Sequence, residues 1–517
     1  MTSDAGASRL QGPIHLAPVL LVIAYGALLI STAWICDDAY ITFRTVENFV
    51  HGHGLRYNVV ERVQSYTHPL WMLLLCVGRL VFGDLYHAGM FLSLGASLLT
   101  VVWIVRSPAV TDAGAMIGVM ILTLSRAYVD YSTSGLENPL THLLLVVFLD
   151  KATRARAATE TKEEVTLWGL IALCLVNRMD SVLLFFPWMT HATWTSVRQR
   201  KLGGVVPIAI GLLPFVVWEL FSIVYYGFPF PNTAYAKLGA GLPRLEMMSQ
   251  GVRYVGNSVI VDPLTPVAIA VALIMGGGSR NVRLRLFAGG VLCHLSYIVY
   301  IGGDFMSGRL LTAPLLVSVW VWTQALGRFK RLQIPAAALV LVLGFMARPP
   351  VFRKEMYLTE SDIFEMPQVA NERAFYYRFT GLLRPSADVE KLSFVVEGRK
   401  VRRRGEKVLI SGPIGLQGFI VGPEVHVVDT FGLVDPLLSR LPMKKASYFR
   451  IGHVQREFPR GYEETLKTGR NSIENKKLRA YYARLSMIVR GPLFTAARFR
   501  TILRMNVGTF DHLLPRQ

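Results

Sequence analysis

Apolar runs recur through the first two thirds of the chain and become scarce after about residue 347. A helix needs about 20 apolar residues to cross a bilayer. Runs that approach this length lie at 16–36, 85–106, 112–128, 138–150, 164–177, 181–195, 203–225, 262–277, 284–301, 309–326 and 332–347. The pattern predicts a polytopic α-helical membrane protein with about 11 transmembrane helices, followed by a soluble C-terminal domain.

The composition fits the same interpretation. Charged residues make up 17% of the chain, whereas soluble proteins carry about a quarter. The net charge is +20. In the first two thirds of the chain, Lys and Arg lie in short loops between apolar runs, as the positive-inside rule requires. We therefore expect no nucleic-acid partner. The four cysteines lie in or beside apolar runs and show neither a metal-site spacing nor a disulfide framework.

The basic clusters predict which loops face the cytoplasm. Lys and Arg concentrate at 151–162, 198–201, 280–285 and 328–331. The loops 129–137, 178–180, 226–261 and 302–308 are poorer in basic residues and are predicted to lie outside. This scheme places the N-terminus inside, with an uncleaved first helix, and the C-terminal domain outside.

The apolar segment 69–82 does not fit this alternation of sides. It is short and contains Arg79. Counting it as a span would place the first polar loop opposite the other outer loops. We therefore predict a juxtamembrane or re-entrant helix within an outer loop at 37–84, where protein would have to cover its backbone.

The first outer loop opens with two adjacent acids, Asp37 and Asp38. The stretch 38–50 carries apolar residues at helical spacing and predicts an amphipathic helix on the membrane surface. A carboxylate at headgroup depth could take a proton from an acceptor hydroxyl during sugar transfer from a lipid phosphate. In the alternative, Asp37 caps this helix and Asp38 interacts with its dipole.

Further polar residues of the predicted outer loops are candidates for substrate binding. Glu137 stands before a helix start and faces no obvious cation in the sequence. Asp304 and Arg309 bracket a Gly-rich turn, where Arg309 could hold a phosphate through two hydrogen bonds, or could form an ion pair with Asp304. Arg178 and Asp180 form a tight turn that favours a structural ion pair. The remaining candidates are Arg44, Tyr66, His68, Asn232 and Lys237.

The C-terminal region has three strand candidates, at 392–396, 407–410 and 425–428. The segment between the last two, SGPIGLQGFIVG, has the composition of a turn and a short helix. The order predicts a small βαβ unit in an α/β domain. Asp435 stands before Pro436 and is expected to cap a helix.

Several ordered stretches resemble one enzyme superfamily. They are DDAYITFRTVENFVHGHGLRYN with ERVQSYTHPLW in the first outer loop, SGLENPL at 134–140, GGDFMSGRLL at 302–311, VVDTFGLVDPLLSRLP at 427–442 and FRIGHVQREFPRGY at 449–462. Together they resemble the GT-C superfamily of polyprenyl-phosphate-sugar-dependent glycosyltransferases, with the greatest likeness to the terminal β-(1→2)-arabinofuranosyltransferases.

The resemblance implies a GT-C transmembrane domain at 1–347 and a periplasmic α/β cap domain at 348–517, in a bacterial inner membrane. It also implies inverting transfer of a sugar, arabinofuranose in that family, from a polyprenyl phosphate to a cell-envelope glycan. The acidic pair Asp37–Asp38 would then include the catalytic base. A divalent metal ion stays an open alternative as the group that neutralises the leaving phosphate.

Two other functions compete with this hypothesis. A transporter or lipid flippase would need charges inside its spans, whereas the charges here cluster in the predicted outer loops. A non-catalytic protein of envelope or flagellar assembly would not need the acidic pair.

Overall fold

The computed structural model describes residues 16–155, 161–239, 241–346, 364–366, 368–383, 387–444 and 450–515. Helices account for most of this length. Those of the first two thirds are α1 Leu16–Thr32, α2 Asp37–Val50, α3 Pro69–Phe82, α4 Leu85–Arg106, α5 Asp112–Leu124, α6 Arg126–Asp130, α7 Asn138–Arg154, α8 Thr161–Asn177, α9 Val182–Arg200, α10 Val205–Tyr225, α11 Asn232–Leu238, α12 Arg244–Val261, α13 Leu264–Gly277, α14 Val282–Tyr300, α15 Thr312–Arg328 and α16 Gln333–Met346.

The last third mixes short strands with helices. Its elements are β1 Phe364–Met366, β2 Val369–Ala370, α17 Glu372–Thr380, α18 Ser393–Arg404, β3 Val408–Ser411, α19 Leu416–Val421, β4 His426–Asp429, α20 Tyr462–Thr468, α21 Lys476–Arg490 and α22 Ala496–Asn506. Strands β1 and β2 pair antiparallel.

Every predicted span overlaps one α-helix or, at 112–128, two α-helices, but fewer helices are long enough to cross a bilayer alone. Within the described ranges, four helices meet the length and hydropathy that a span needs, namely Leu85–Arg106, Val205–Tyr225, Val282–Tyr300 and Arg309–Arg328. Two bent helix pairs, α1 with α2 and α12 with α13, bring the number to as many as six. The prediction of a helical membrane protein is thus confirmed in its coarse form, while the number of 11 spans stays a prediction.

One predicted span is broken because a serine side chain starts a new helix inside it. Helix α5 begins after Thr111, whose hydroxyl accepts the Gly114 N–H, and ends at Leu124. The Ser125 hydroxyl then accepts the Tyr128 N–H and caps α6. The apolar run 112–128 is therefore two helices, since the N-cap satisfies amide groups that a continuous helix would otherwise use.

The chain forms two compact units. The first comprises residues 1–35, 89–214 and 247–385, and the second comprises 36–88, 215–246 and 386–517. The second unit therefore includes the first polar loop and the segment around α11 as well as most of the predicted cap domain. The predicted domain boundary at 347–348 lies outside the described residues.

The first unit is built around α15, which is buried along most of its length. It packs against α5, α7, α13 and α14. Glycines permit close helix contacts: a Cβ on Gly290 of α14 would overlap the backbone of Leu184 in α9. Such small residues are the usual means of close packing between membrane helices.

In the second unit, β3 and β4 pair in parallel, from Val408 opposite His426 to Ser411 opposite Asp429. Helix α19 connects them, which confirms the predicted βαβ unit. The predicted strand 392–396 is wrong, because these residues begin α18. Its buried residues Val395, Gly398 and Val401 recur at helical spacing, and the helix ends where Gly405 adopts a left-handed conformation.

Helices α2 and α3 of the second unit differ in what they expose. Helix α2 was expected to lie on the membrane surface, but most of its side chains are buried against α3 and α19, including the polar Thr42, Arg44 and Asn48. Helix α3 has the predicted bounds and exposes an apolar face with Val77 and Leu80. An exposed apolar helix face is typical of contact with lipid or another protein.

Candidate active site

The acidic pair begins α2, but Asp37 does not cap that helix. Cys36 occupies the N-cap position, so the alternative in which Asp37 caps this helix is wrong. The Asp37 carboxylate instead accepts two backbone hydrogen bonds from the start of α19: Oδ1 from the Leu416 N–H at 2.9 Å and Oδ2 from the Gly415 N–H at 3.2 Å. Asp37 thus joins the first loop to the βαβ unit.

Burial raises the pKa of Asp37 to about 6. The hydrogen bond from Leu416 opposes this rise, and the charge of Asp38 adds to it. A carboxyl group with such a pKa is ionised at neutral pH and still binds a proton more strongly than an ordinary aspartate. These are the properties that a general base requires.

Arg44 lies nearly two helical turns beyond the pair, and its guanidinium binds backbone carbonyls of the second unit. Its guanidinium donates to the carbonyl of Tyr57 at 2.8 Å, to that of Val425 at 2.8 Å and to that of Gly418. The side chain is 3% exposed. The structure therefore gives Arg44 the task of holding α2 against the segment around α19.

Tyr66 and His68 also lie in buried networks of the second unit. The Tyr66 hydroxyl is 2.7 Å from that of Tyr226. His68 Nε2 is 2.8 Å from the Thr42 hydroxyl, which lies on the same helix as the acidic pair. His68 thereby connects the start of α3 to α2.

Asn232 and Lys237 lie on α11. The Asn232 amide group donates to the carbonyls of Gly432, Leu433 and Asp435 at 2.9 to 3.1 Å. Asn232 therefore holds the loop after β4, while Lys237 is partly exposed further along the helix. The Asp435 carboxylate accepts the N–H groups of Leu437 and Leu438. It therefore stabilises the turn before the short helix Leu438–Arg440, but the N-cap of that helix is Leu437 and not Asp435 as expected.

The first unit brings together Glu137, Asp304 and Arg309 from separate predicted loops. The Glu137 side chain is fully buried, with Arg309 Nη2 at 3.2 Å from Oε1 and Arg178 bonded to the same oxygen. Glu137 thus has two cationic partners, where the sequence suggested none. Arg309 also lies 3.5 Å from Asp304.

Arg178 forms the ion pair with Asp180 that its spacing predicted, with two hydrogen bonds of 2.7 and 2.9 Å. Three carboxylates and two guanidinium groups therefore form one continuous network in this unit, which we call the Glu137 network: Glu137, Asp180, Asp304, Arg178 and Arg309. Its formal charge is about −1 if every member is ionised in the usual way.

A second ionic group of the first unit was missed by the sequence analysis. Asp130 lies 3.4 Å from Arg126 and 3.6 Å from Arg373. Because Arg126 and Asp130 are four positions apart, the sequence could have predicted their ion pair on one helix face. Nothing in the sequence connects Asp130 to Arg373, which lies in α17.

The described part of the chain contains no group of three or more His, Cys, Asp or Glu side chains arranged to hold a metal ion.

Two curated proteins are similar in sequence to this chain. No family model matches it. The terminal β-(1→2)-arabinofuranosyltransferase of Mycobacterium tuberculosis is 27% identical over 533 residues, covering 82% of this chain and 81% of that protein. The enzyme of the same name from Corynebacterium glutamicum is 27% identical over 338 residues, covering 54% and 46%.

Two solved structures are also similar. They are ArnT from Cupriavidus metallidurans bound to undecaprenyl phosphate, with a TM-score of 0.45 and 14% identity, and its apo state, with a TM-score of 0.46 and 15% identity. Each alignment covers 82% of this chain and 76% of the solved chain.

The curated relatives cover most of the chain and carry the activity that the motifs suggested. They confirm the resemblance to terminal β-(1→2)-arabinofuranosyltransferases and, with it, the prediction that this protein is a glycosyltransferase.

Proposed function

We propose that this protein is an inverting GT-C glycosyltransferase that moves a sugar from a polyprenyl phosphate to a hydroxyl of a cell-envelope glycan. The sugar transfer would take place at the periplasmic face of a bacterial inner membrane. The name of the Mycobacterium tuberculosis relative supports arabinofuranose as the first donor sugar to test. The observation that carries the proposal is the half-buried carboxylate of Asp37 at the start of α2, which two backbone amides hold in place.

In this mechanism Asp37 is the catalytic base. The acceptor oxygen attacks the anomeric carbon from the face opposite the phosphate and gives its proton to Asp37. The bond between the anomeric carbon and the phosphate oxygen breaks, and the polyprenyl phosphate leaves with that electron pair. The anchoring hydrogen bonds use part of the lone-pair capacity of the carboxylate, which can accept about four hydrogen bonds.

The choice of Asp37 over Asp38 depends on two features of its surroundings. The N–H groups of Gly415 and Leu416 fix the orientation of its carboxylate, and burial raises its pKa to about 6. Asp38 then acts as a positioning residue, because its charge raises the proton affinity of its neighbour.

The leaving phosphate needs cationic or hydrogen-bonding partners. In the first unit, the sequence candidate for phosphate binding is Arg309, whose guanidinium is held by Glu137 and Asp304. An arginine that is already oriented loses little conformational freedom when it binds phosphate. Lys237 and His68 are further candidates for contact with the donor.

The test is a transfer assay with purified protein in lipid nanodiscs. Radiolabelled polyprenyl-phosphate sugars, with arabinofuranose first, are supplied together with a cell-envelope glycan acceptor. The variants are Asp37→Asn and Asp38→Asn. Glu390→Gln is the matched control, since Glu390 is an exposed acid that pairs with the exposed Arg399. Folding of each variant is checked by its melting temperature.

We expect Asp37→Asn to lower the rate by about 100-fold or more, as loss of a general base does. Asp38→Asn should have a smaller effect, and the control should match the wild type. The proposal fails if the wild type transfers no sugar from the whole donor panel. The assignment of the base fails if folded Asp37→Asn keeps wild-type activity.

A further inference from the structure

Helix α22 lies across the C-terminal end of α10. The buried guanidinium of Arg498 donates to the carbonyls of Val224 at 2.7 Å and Tyr225 at 3.0 Å. The Asn506 amide group donates to the Gly227 carbonyl at 2.8 Å. The last carbonyls of a helix have no partner within it, so Arg498 and Asn506 fix α22 to the place where α10 ends.

Helix α10 is one of the helices that are long and apolar enough to cross a membrane. Its 21 residues extend about 30 Å, the thickness of the hydrocarbon core. Within the second unit, its last turns expose Val216, Val217 and Leu220, as expected of a surface that faces lipid. A helix of this length that crosses a bilayer ends at its boundary, which would put the Tyr225 end of α10, and α22 with it, at headgroup depth.

The outward face of α22 is apolar. Phe499, Leu503 and Val507 recur every four residues and are exposed, Leu503 to 67% and Val507 to 68%. In the turn before the helix, Phe494 is 80% exposed. The opposite face, with Arg498, Ile502 and Met505, is buried. A contiguous exposed stripe of large apolar side chains normally marks an interaction surface.

Two cations lie beside this stripe. Arg500 and Arg504 are exposed on α22, each next in sequence to a member of the stripe. Their aliphatic stems can lie along an apolar surface while the guanidinium groups reach lipid phosphates. A helix with one apolar face and adjacent arginines has the pattern of helices that lie in the bilayer interface.

We propose that α22, together with Phe494, is an interfacial anchor that lies in the headgroup layer at the Tyr225 end of α10. The apolar stripe enters the boundary of the acyl chains, and Arg500 and Arg504 bind the phosphates of anionic lipids. The anchor is independent of the proposed transfer reaction, because it depends only on how α22 is attached to α10 and on what it exposes. Its occupant is the lipid of the membrane that α10 crosses.

A depth measurement tests this assignment. Leu503→Cys carries a spin label, and the full chain, with Cys293→Ala to limit background labelling, is placed in nanodiscs. Collision rates of the label with oxygen, which partitions into lipid, and with a water-soluble nickel chelate report its depth. Lys477→Cys, at an exposed position of α21, is the matched control.

At position 503 we expect oxygen to relax the label several-fold more effectively than the nickel chelate, with the reverse order at position 477. Replacing Arg500 and Arg504 by Gln should reduce the depth at 503 in discs that contain phosphatidylglycerol, and should change it little in discs of phosphatidylcholine alone. Equal nickel accessibility at 503 and 477 would overturn the proposal. Spin–spin broadening at 503 in discs that hold two copies would assign the face to a second copy instead, and would overturn it as well.

Discussion

Arg309 and Glu137, which lie 172 positions apart, are joined by hydrogen bonds of 3.2 and 3.4 Å from Nη2 of the arginine to both carboxylate oxygens. Arg178 binds the same carboxylate from another loop. The Glu137 side chain has no exposed surface, so its charge is stable only because both cations are present. Glu137 is therefore the centre on which the orientation of Arg309 depends.

The variant Glu137→Gln removes this centre while keeping the shape of the side chain. We expect the free energy of unfolding to fall by about 3–5 kcal/mol, as when one partner of a buried ion pair is removed. Transfer activity should fall with it, because Arg309 loses a main anchor. Thermal unfolding and the radiolabel assay measure the two effects. Glu390→Gln, at an exposed ion pair, should change stability by less than about 1 kcal/mol, and equal effects of the two variants would contradict this role.

The raised pKa of Asp37 predicts how activity depends on pH. A base acts only when ionised, so the rate should fall as pH decreases through about 6, by about tenfold per pH unit below that value. The charge of Asp38 raises the pKa of Asp37. In the residual activity of Asp38→Asn, the acid limb of the pH profile should therefore move to lower pH. An acid limb that does not move in Asp38→Asn, or a wild-type acid limb near pH 4, would show that a group other than Asp37 titrates.

Arg44 predicts a stability effect at the border between α2 and the βαβ unit. Its planar guanidinium serves three carbonyls, and an ammonium group on a flexible chain cannot reproduce that geometry. Arg44→Lys should lower the free energy of unfolding by about 1–3 kcal/mol for each buried carbonyl left without a donor. Arg402→Lys is the control, because Arg402 is exposed and makes one long contact of 3.4 Å to a carbonyl. If Arg402→Lys lowers the free energy of unfolding as much as Arg44→Lys does, the three carbonyl contacts of Arg44 have no special role in stability.

Most helices could be predicted from the sequence. The prediction was wrong where strand propensity and helical spacing favoured different structures. The bounds of α3 follow from Pro69 at its first position and Gly83 at its end, both visible in the sequence. In α18, Val395 and Val396 favour a strand by their branched side chains. The helical spacing of Val395, Gly398 and Val401 prevailed, because it buries all three residues in a helix that packs against α19.

Only some contacts of the candidate residues could be predicted from the sequence. Alternation of sides placed the loops of Glu137 and Arg309 on one face, yet it could not pair an acid with a particular cation. Asn232 was a substrate-binding candidate because it lies in a predicted outer loop. In the structure its amide group donates to backbone carbonyls. Every residue has such a carbonyl, so no sequence pattern marks the ones that a buried amide or guanidinium will meet.

Close helix packing in the first unit supplies the last prediction. A methyl group on Gly290 would overlap the backbone of Leu184, whereas one on Gly256 of α12 would meet no atom within 4 Å. Gly290→Ala forces α14 and α9 apart, because a helix backbone cannot move aside as a side chain can, and should cost about 1–3 kcal/mol. Gly256→Ala should instead stabilise by about 0.5–1 kcal/mol through helix propensity. Melting temperatures in one detergent decide the matter: opposite signs are expected, and a harmless Gly290→Ala would mean that α9 and α14 do not pack this closely.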